Sequence, residues 1–267
     1  MAIAASRSAE TPQPGDGYVQ SFARGLEVIR SFSAQAPQQT LSEVAGRAGL
    51  TRAAARRLLL TLHTLGCVQT DGRLLRRTPR TLDLGFAYLS SMPIWNLADP
   101  VMEALVADVK ESCSAAVLDG TDIVYVLRVP VHKIMSISLG VGSRLPAYCT
   151  SMGRVLMAGL PDEAACALLE ASDRRALTRH TVTDLDALMA RVRQARQQGW
   201  CLVDQELEEG LISLAAPITN RAGETVAALN ISGQANRSSA RAMQAGMLPA
   251  LLQAARRIST LLGGTAR

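Results

Sequence analysis

The apolar positions change period along the chain, and each change predicts an element. Phe22, Leu26, Ile29 and Phe32 recur at helical spacing, with Ser21 placed to cap them. Pro37 breaks this pattern. Thr40-Leu41-Ser42-Glu43 is a capping-box sequence opening a short helix with Leu41, Val44 and Ala48 inward, and Gly49 stops it. Thr51 caps a third helix whose inner stripe is Ala55, Leu58, Leu59, Leu62 and Leu65. Its other face carries Ala53, Arg56, Arg57, Leu60 and Thr64, with Arg52 near the start. Asp71-Gly72 then reads as a two-residue turn between short strands. Helix, short helix, turn, helix and arginine-bearing hairpin together predict a winged helix-turn-helix over residues 18–80.

A further helical stretch, "RTLDLGFAYLSSM", sets Leu82, Phe86 and Leu89 on one face and should end at Met92-Pro93, giving a linker helix over 81–95. Beyond it the period mixes. Asp99-Pro100 opens a helix with Val101, Leu105 and Val109 inward. "SAAVLDGTDIVYVLRV" predicts a hairpin turning at Asp119-Gly120-Thr121, and "KIMSISLGVGSRLPAY" alternates as another strand. Helical patterns follow in "SMGRVLMAGL", "DEAACALLEA" and "TDLDALMARVRQARQQG". A second hairpin turns at residues 221–224, and a long helix runs from about Ser239 with Pro249 as a kink or break. Strand pairs interrupted by helices predict an α+β domain with an antiparallel sheet over 96–267.

Charge sharpens the first domain. Residues 1–92 carry 11 Arg, no Lys and 6 acids, whereas residues 93–267 carry 17 basic and 17 acidic side chains, so the whole net charge of +5 lies in the first third. Eight arginines lie between Arg47 and Arg80 against the single acid Asp71. Such a block commonly makes a solvated face, but on a recognition-helix pattern it points to nucleic acid. Small residues let the helix enter the major groove, and arginines there meet phosphates or guanine edges. The residues nominated for DNA are Thr51, Arg52, Ala53, Arg56, Arg57 and Arg73. Aromatics make up only 3% of the chain, which disfavours base stacking on rings.

Composition excludes other classes. No apolar run reaches the length of a membrane span. Residues 1–17 have no apolar segment of signal-peptide type and read as a disordered lead-in. Five scattered cysteines without a Cys-x-x-Cys suit free thiols in a reducing cytoplasm. The three histidines, His63, His132 and His180, lack metal-ligand spacing, and phosphate- and dinucleotide-binding glycine motifs are absent. No metal, cofactor or catalytic residue is therefore expected. The enzyme alternative is a hydrolytic site at Cys149, against which a small buried thiol is the plainer reading. A third alternative is a DNA-binding oligomer blind to ligands. The chemistry the second domain does offer is at "SRLPAYCTSMGRVLMAG". There Pro146 ends a strand, and Thr150-Ser151 begin a helix whose free N–H groups favour an anion. Thr150 serves equally as a plain N-cap. Asn230 and Ser232, two apart on a strand, share a face.

"LSEVAGRAGLTRAAARRLLLTLHTLGCV" followed by "TPRTLDLGFAYL" resembles the DNA-binding domain of the IclR-type transcriptional regulators, and the likeness runs through residues 18–262. The wording of "PAYCTSMGR" and "GWCLVDQELEEGL" resembles most the branch that regulates aromatic-acid and β-ketoadipate catabolism. The resemblance implies a GAF-like effector domain. It also implies a site lined by the segment 145–153, the acidic stretch "VDQELEEGLIS" and the "NIS" strand. Carried over, it nominates Leu145, Thr150, Ser151, Met152, Asp204, Leu211, Ser213, Asn230 and Ser232, with Ile134 and Ile137 as apolar wall. Some relatives carry an acid where Val203 stands, so the polar end of this pocket departs from theirs. The expected partners are double-stranded operator DNA, a small organic acid, further copies of the chain as a homodimer or tetramer, and RNA polymerase.

Overall fold

The computed structural model describes residues 15, 17–33, 35–90, 94–131 and 139–263. They fall into two compact units, Met1–Ser91 and Met92–Arg267.

In the first unit, helices α1 (Gln20–Arg30), α2 (Leu41–Arg47) and α3 (Arg52–Thr64) enclose a core of Val28, Phe32, Val44, Leu59, Leu62 and Val68. The capping box forms: Glu43 Oε2 accepts the Thr40 N–H at 2.7 Å, and Thr40 Oγ1 accepts the Glu43 N–H. Strands β1 (Gln38–Gln39), β2 (Val68–Thr70) and β3 (Leu75–Arg77) make an antiparallel sheet ordered β1-β3-β2. A helix α4 (Leu82–Ser90) follows.

Four expectations change here. Helix α1 starts at Gln20 with no side-chain cap, so Ser21 does not cap it. Its buried face runs through Val28 and Phe32, leaving Phe22 69% exposed. Phe22 lies about one and two-thirds turns before Val28 and so points away from that face. Leu65 falls just past the end of α3 and is exposed too. The wing turn is four residues, 71–74, because Thr70 pairs with Leu75. Asp71 sets this longer turn: its Oδ1 accepts the N–H groups of Arg73 (2.9 Å) and Leu74 (2.8 Å), and these bonds hold its carboxyl below the usual range. Strand β1 is an addition that two glutamines did not signal.

The second unit is a six-stranded antiparallel sheet ordered β6-β5-β4-β9-β8-β7. Its strands are β4 (Ser112–Asp119), β5 (Asp122–Val129), β6 (Arg144–Pro146), β7 (Cys201–Asp204), β8 (Leu211–Thr219) and β9 (Thr225–Gln234). Helices α6 (Ser151–Ala158), α7 (Asp162–Ala171) and α8 (Leu185–Gln198) pack on the face bearing Tyr125, Val203, Ala215 and Ala228. Helices α5 (Ile94–Val109) and α9 (Ala240–Leu261) pack together against the sheet, with Met243 of α9 against Gly233 of β9.

Both hairpins and the three middle helices form where the pattern set them. Helix α5, however, begins at Ile94 and carries Pro100 inside it. Buried Ile94, Trp95 and Ala98 outweigh the one backbone hydrogen bond a proline removes. Pro249 likewise sits within α9 without ending it, between buried Met243 and Leu251. Strand β7 was not expected. Of the strand read in "KIMSISLGVGSRLPAY", only residues 144–146 are strand among those described. Ile134, Ile137 and the helix end at Met92-Pro93 lie outside the described residues.

Candidate DNA-binding face and effector site

Helix α3 is held by its Thr51 cap, whose hydroxyl accepts the Ala54 N–H at 3.2 Å. Ala55, Leu59 and Leu62 face the core, which turns Arg52, Ala53, Arg56 and Arg57 to solvent. Arg73, in the wing turn, is also exposed. Among the described residues none of these four arginines has an ion-pair partner. Arg80 differs, since its guanidinium donates to the Leu65 carbonyl at 3.2 Å and braces the end of α3. Arg57 stands apart as well, because it borders the groove between α3 and α1 along with Gln20 and Arg24. An exposed helix face with unpaired guanidinium groups is available to phosphate.

In the second unit the polar candidates form a hydrogen-bonded chain. The hydroxyls of Ser151 and Ser213 lie 2.6 Å apart. Asn230 Nδ2 donates to Ser213 Oγ (3.2 Å) and Ser232 Oγ (3.0 Å), while its Oδ1 accepts the Ser114 N–H at 3.1 Å. The register explains the meeting: Ser213 pairs with Ser232 and Ala215 with Asn230 across β8 and β9, so alternation puts all three polar side chains on the α6 face. At the helix start Thr150 Oγ1 accepts the Gly153 N–H at 3.1 Å and donates toward the Pro146 and Ala147 carbonyls. Its hydroxyl is thus committed to the cap. The N–H groups of Ser151 and Met152 are then first-turn donors that the helix itself cannot use.

These groups border a cavity completed by Tyr125, Leu145, Cys149, Val203, Leu207 and Leu211. Only about 20 Å³ of it can hold the centre of a water molecule, enough for about one water. Asp204 does not line it. Strand alternation turns Val203 toward α6 and Asp204 to the opposite, exposed side, where its carboxylate accepts from the Gln205 amide at 3.2 Å. The sequence reading missed Tyr125; Cys149 and Leu207 lie inside the segments that the resemblance implied but were not singled out. The alternation of β5 was the one available signal for Tyr125.

Close by, Arg154 and Glu206 form a buried two-bond pair. Arg154 Nε also donates to the Tyr148 carbonyl at 3.0 Å, and Glu206 Oε2 accepts the Val182 N–H at 3.1 Å. Glu206 is buried and locks the 205–210 loop to α6. Cys149 is no poised nucleophile: burial pushes its thiol up to about 11 and its Sγ rests against the Pro146 carbonyl. Among the described residues no cluster could hold a metal ion, and no helix is long and apolar enough to cross a membrane.

A winged helix with an exposed basic recognition face, joined to a sheet domain holding a small polar cavity, defines a DNA-binding regulator of the one-component type. Residues 21–72 match the IclR helix-turn-helix domain, and residues 86–260 match the bacterial transcriptional regulator IclR C-terminal domain. The chain therefore belongs to the IclR family of transcriptional regulators, not to a family of enzymes. It is 42% identical over 248 residues to the Pca regulon regulatory protein of Pseudomonas putida, covering 92% of this chain and 85% of that one. A putative transcriptional regulator, RHA06195 from Rhodococcus sp. RHA1, superposes with a TM-score of 0.83 at 50% identity, over 92% of this chain and 99% of that one. The inducer-binding domain of a double mutant of the PobR transcription factor from Acinetobacter, in complex with 3-hydroxybenzoic acid, matches at 32% identity. That match has a TM-score of 0.59, over 62% of this chain and 98% of that one.

Proposed function

We propose that the second unit senses a small aromatic carboxylic acid of the hydroxybenzoate class, and that binding alters the affinity of the winged helix for a palindromic operator or its contacts with RNA polymerase. In this reading residues 18–80 read DNA, 81–95 connect and 96–267 sense. The observation that carries it is the Ser151–Ser213–Asn230–Ser232 chain at the start of α6. Neutral donors can receive a carboxylate without burying a fixed positive charge in the empty site, which is costly. Tyr125, Leu145, Met152, Val203, Leu207 and Leu211 supply apolar walls for a ring. The PobR complex with 3-hydroxybenzoic acid supports the ligand class.

The closed state of the cavity bears on control. At about 20 Å³ it is far below the roughly 300 Å³ or more of pockets that hold small ligands. A ligand of that size therefore prefers an arrangement with a wider cavity, and that preference is what can move an equilibrium. Exposed Phe22, Leu82, Leu84 and Phe86 in the first unit support pairing of chains into a homodimer or tetramer. Two recognition helices would then meet successive turns of one DNA face. Fluorescence anisotropy of a labelled operator, titrated with and without 3- and 4-hydroxybenzoate, tests the reading. A shift in operator affinity or in polymerase recruitment supports it; no response of either kind to any benzoate contradicts it.

A further inference from the structure

A second cavity lies at the other end of α6. Strand β7 is four residues long and pairs only with residues 212–215, so residues 216–219 of β8 are paired with β9 on one edge and have no strand on the other. Pro217 has no N–H to leave unpaired there. The Thr219 N–H is taken by Ser259 Oγ of α9 at 2.9 Å. An edge treated in this way is a poor template for a further strand. Instead it borders a space of about 650 Å³, inside the roughly 300–1,000 Å³ range of small-molecule pockets.

The lining is apolar over Val155 and Ala158 of α6, Ala216 and Pro217 of β8, and Leu252 and Ala255 of α9. Gly159 belongs to the same wall, where a Cβ would come within 2.6 Å of the Thr225 side chain. Two guanidinium groups differ in state. Arg196 donates to the carbonyls of Ala158 (2.8 Å) and Leu160 (2.6 Å) and to Asp162 Oδ1 (2.5 Å), a carboxylate it shares with Arg193, so its guanidinium is fixed in the wall. Arg256 is exposed at the rim and has no ion-pair partner among the described residues.

We propose that this cavity is a second small-molecule site, for an amphipathic organic anion whose apolar body lies on Pro217, Leu252 and Ala255 and whose charged group meets Arg256. It is separate from the Ser151–Ser232 cavity and does not depend on that cavity's ligand. Binding is read by titrating the full-length protein with 8-anilinonaphthalene-1-sulfonate, an apolar anion that fluoresces when shielded from water. The difference between wild type and Ala255→Phe, which sets a ring into the cavity, separates this site from the exposed apolar residues of the first unit. The expected result is a saturable component lost in Ala255→Phe, weakened on the order of tenfold in Arg256→Gln, and unchanged in Ser232→Ala. If circular dichroism shows Ala255→Phe unfolded, the exposed Arg256→Gln decides alone. Wild-type dye binding in every folded cavity variant overturns the proposal. So does a dye loss that sedimentation shows to accompany a change in oligomeric mass, because the surface would then join copies of the chain.

Discussion

Arg154 and Glu206, 52 residues apart in sequence, meet in a buried fork with bonds of 2.7 and 2.6 Å. The pair ties the helix that begins at the Ser151–Ser232 cavity to the loop after β7. Because both charges are withdrawn from water, removing one partner strands the other. Arg154→Met or Glu206→Met alone is expected to cost about 3–5 kcal/mol of stability. The double variant Arg154→Met/Glu206→Met should cost much less than the two single losses combined. Denaturant melts of the four proteins check this, and simple additivity would show that the pair is not coupled.

Gly153 is the point where α6 passes closest to the turn that precedes it. A Cβ there would lie 2.1 Å from the Ala147 carbonyl oxygen, which is backbone and cannot swing aside. Gly153→Ala should therefore displace the start of α6, lowering stability by about 1–3 kcal/mol and weakening effector binding with it. An unchanged melting temperature together with unchanged ligand affinity would contradict the placement.

The thiols divide by burial. Cys113, Cys149 and Cys201 are buried, and burial raises the pKa of each, to about 11 for Cys149 and Cys201. A folded-state pKa above the unfolded value means that this stability is full below the ordinary thiol pKa of 9.0 and is lost as pH rises through about 11. Iodoacetamide at pH 8 should therefore modify Cys67 and Cys166, which are partly exposed, well before the other three. Mass spectrometry of the native protein reads the order. Fast labelling of Cys149 would revive a nucleophilic role.

On the first unit, Arg52, Arg56 and Arg73 are predicted to contact operator DNA. Replacing a phosphate-contacting arginine by alanine should flatten the slope of log K against log salt by about one unit for all sequences alike. Replacing a base-reading one should cost roughly 1–3 kcal/mol and relax preference at one position. Wild-type affinity and salt slope in all three variants would show that this face does not meet DNA.

How far these features could be read in advance follows from their range along the chain. Local signals were legible: the Thr40–Glu43 box, the Thr51 cap and the two hairpin turns of the second unit all depend on residues within a few positions of one another. Pairing across the sheet was not. Strand alternation placed Asn230 and Ser232 on one face, but no local pattern said that Ser213 would lie opposite Ser232 and Ser151 above it. The resemblance to the family supplied that grouping. It also nominated Asp204, which the two-residue period turns away from the cavity. Arg154 reads in sequence as one polar residue in an apolar helix. The distant Glu206, together with the Tyr148 carbonyl, makes its burial tolerable.

The most direct test of the account is calorimetry of 3- or 4-hydroxybenzoate binding to wild type, Ser213→Ala and Ser232→Ala. Each hydrogen bond to a charged carboxylate is worth about 1.5–3 kcal/mol, so losing one should raise the dissociation constant roughly tenfold or more. Operator binding by the ligand-free variants should stay at the wild-type level. Unchanged affinity for the acid in both variants would contradict the account and move the effector away from the Ser151–Ser232 chain.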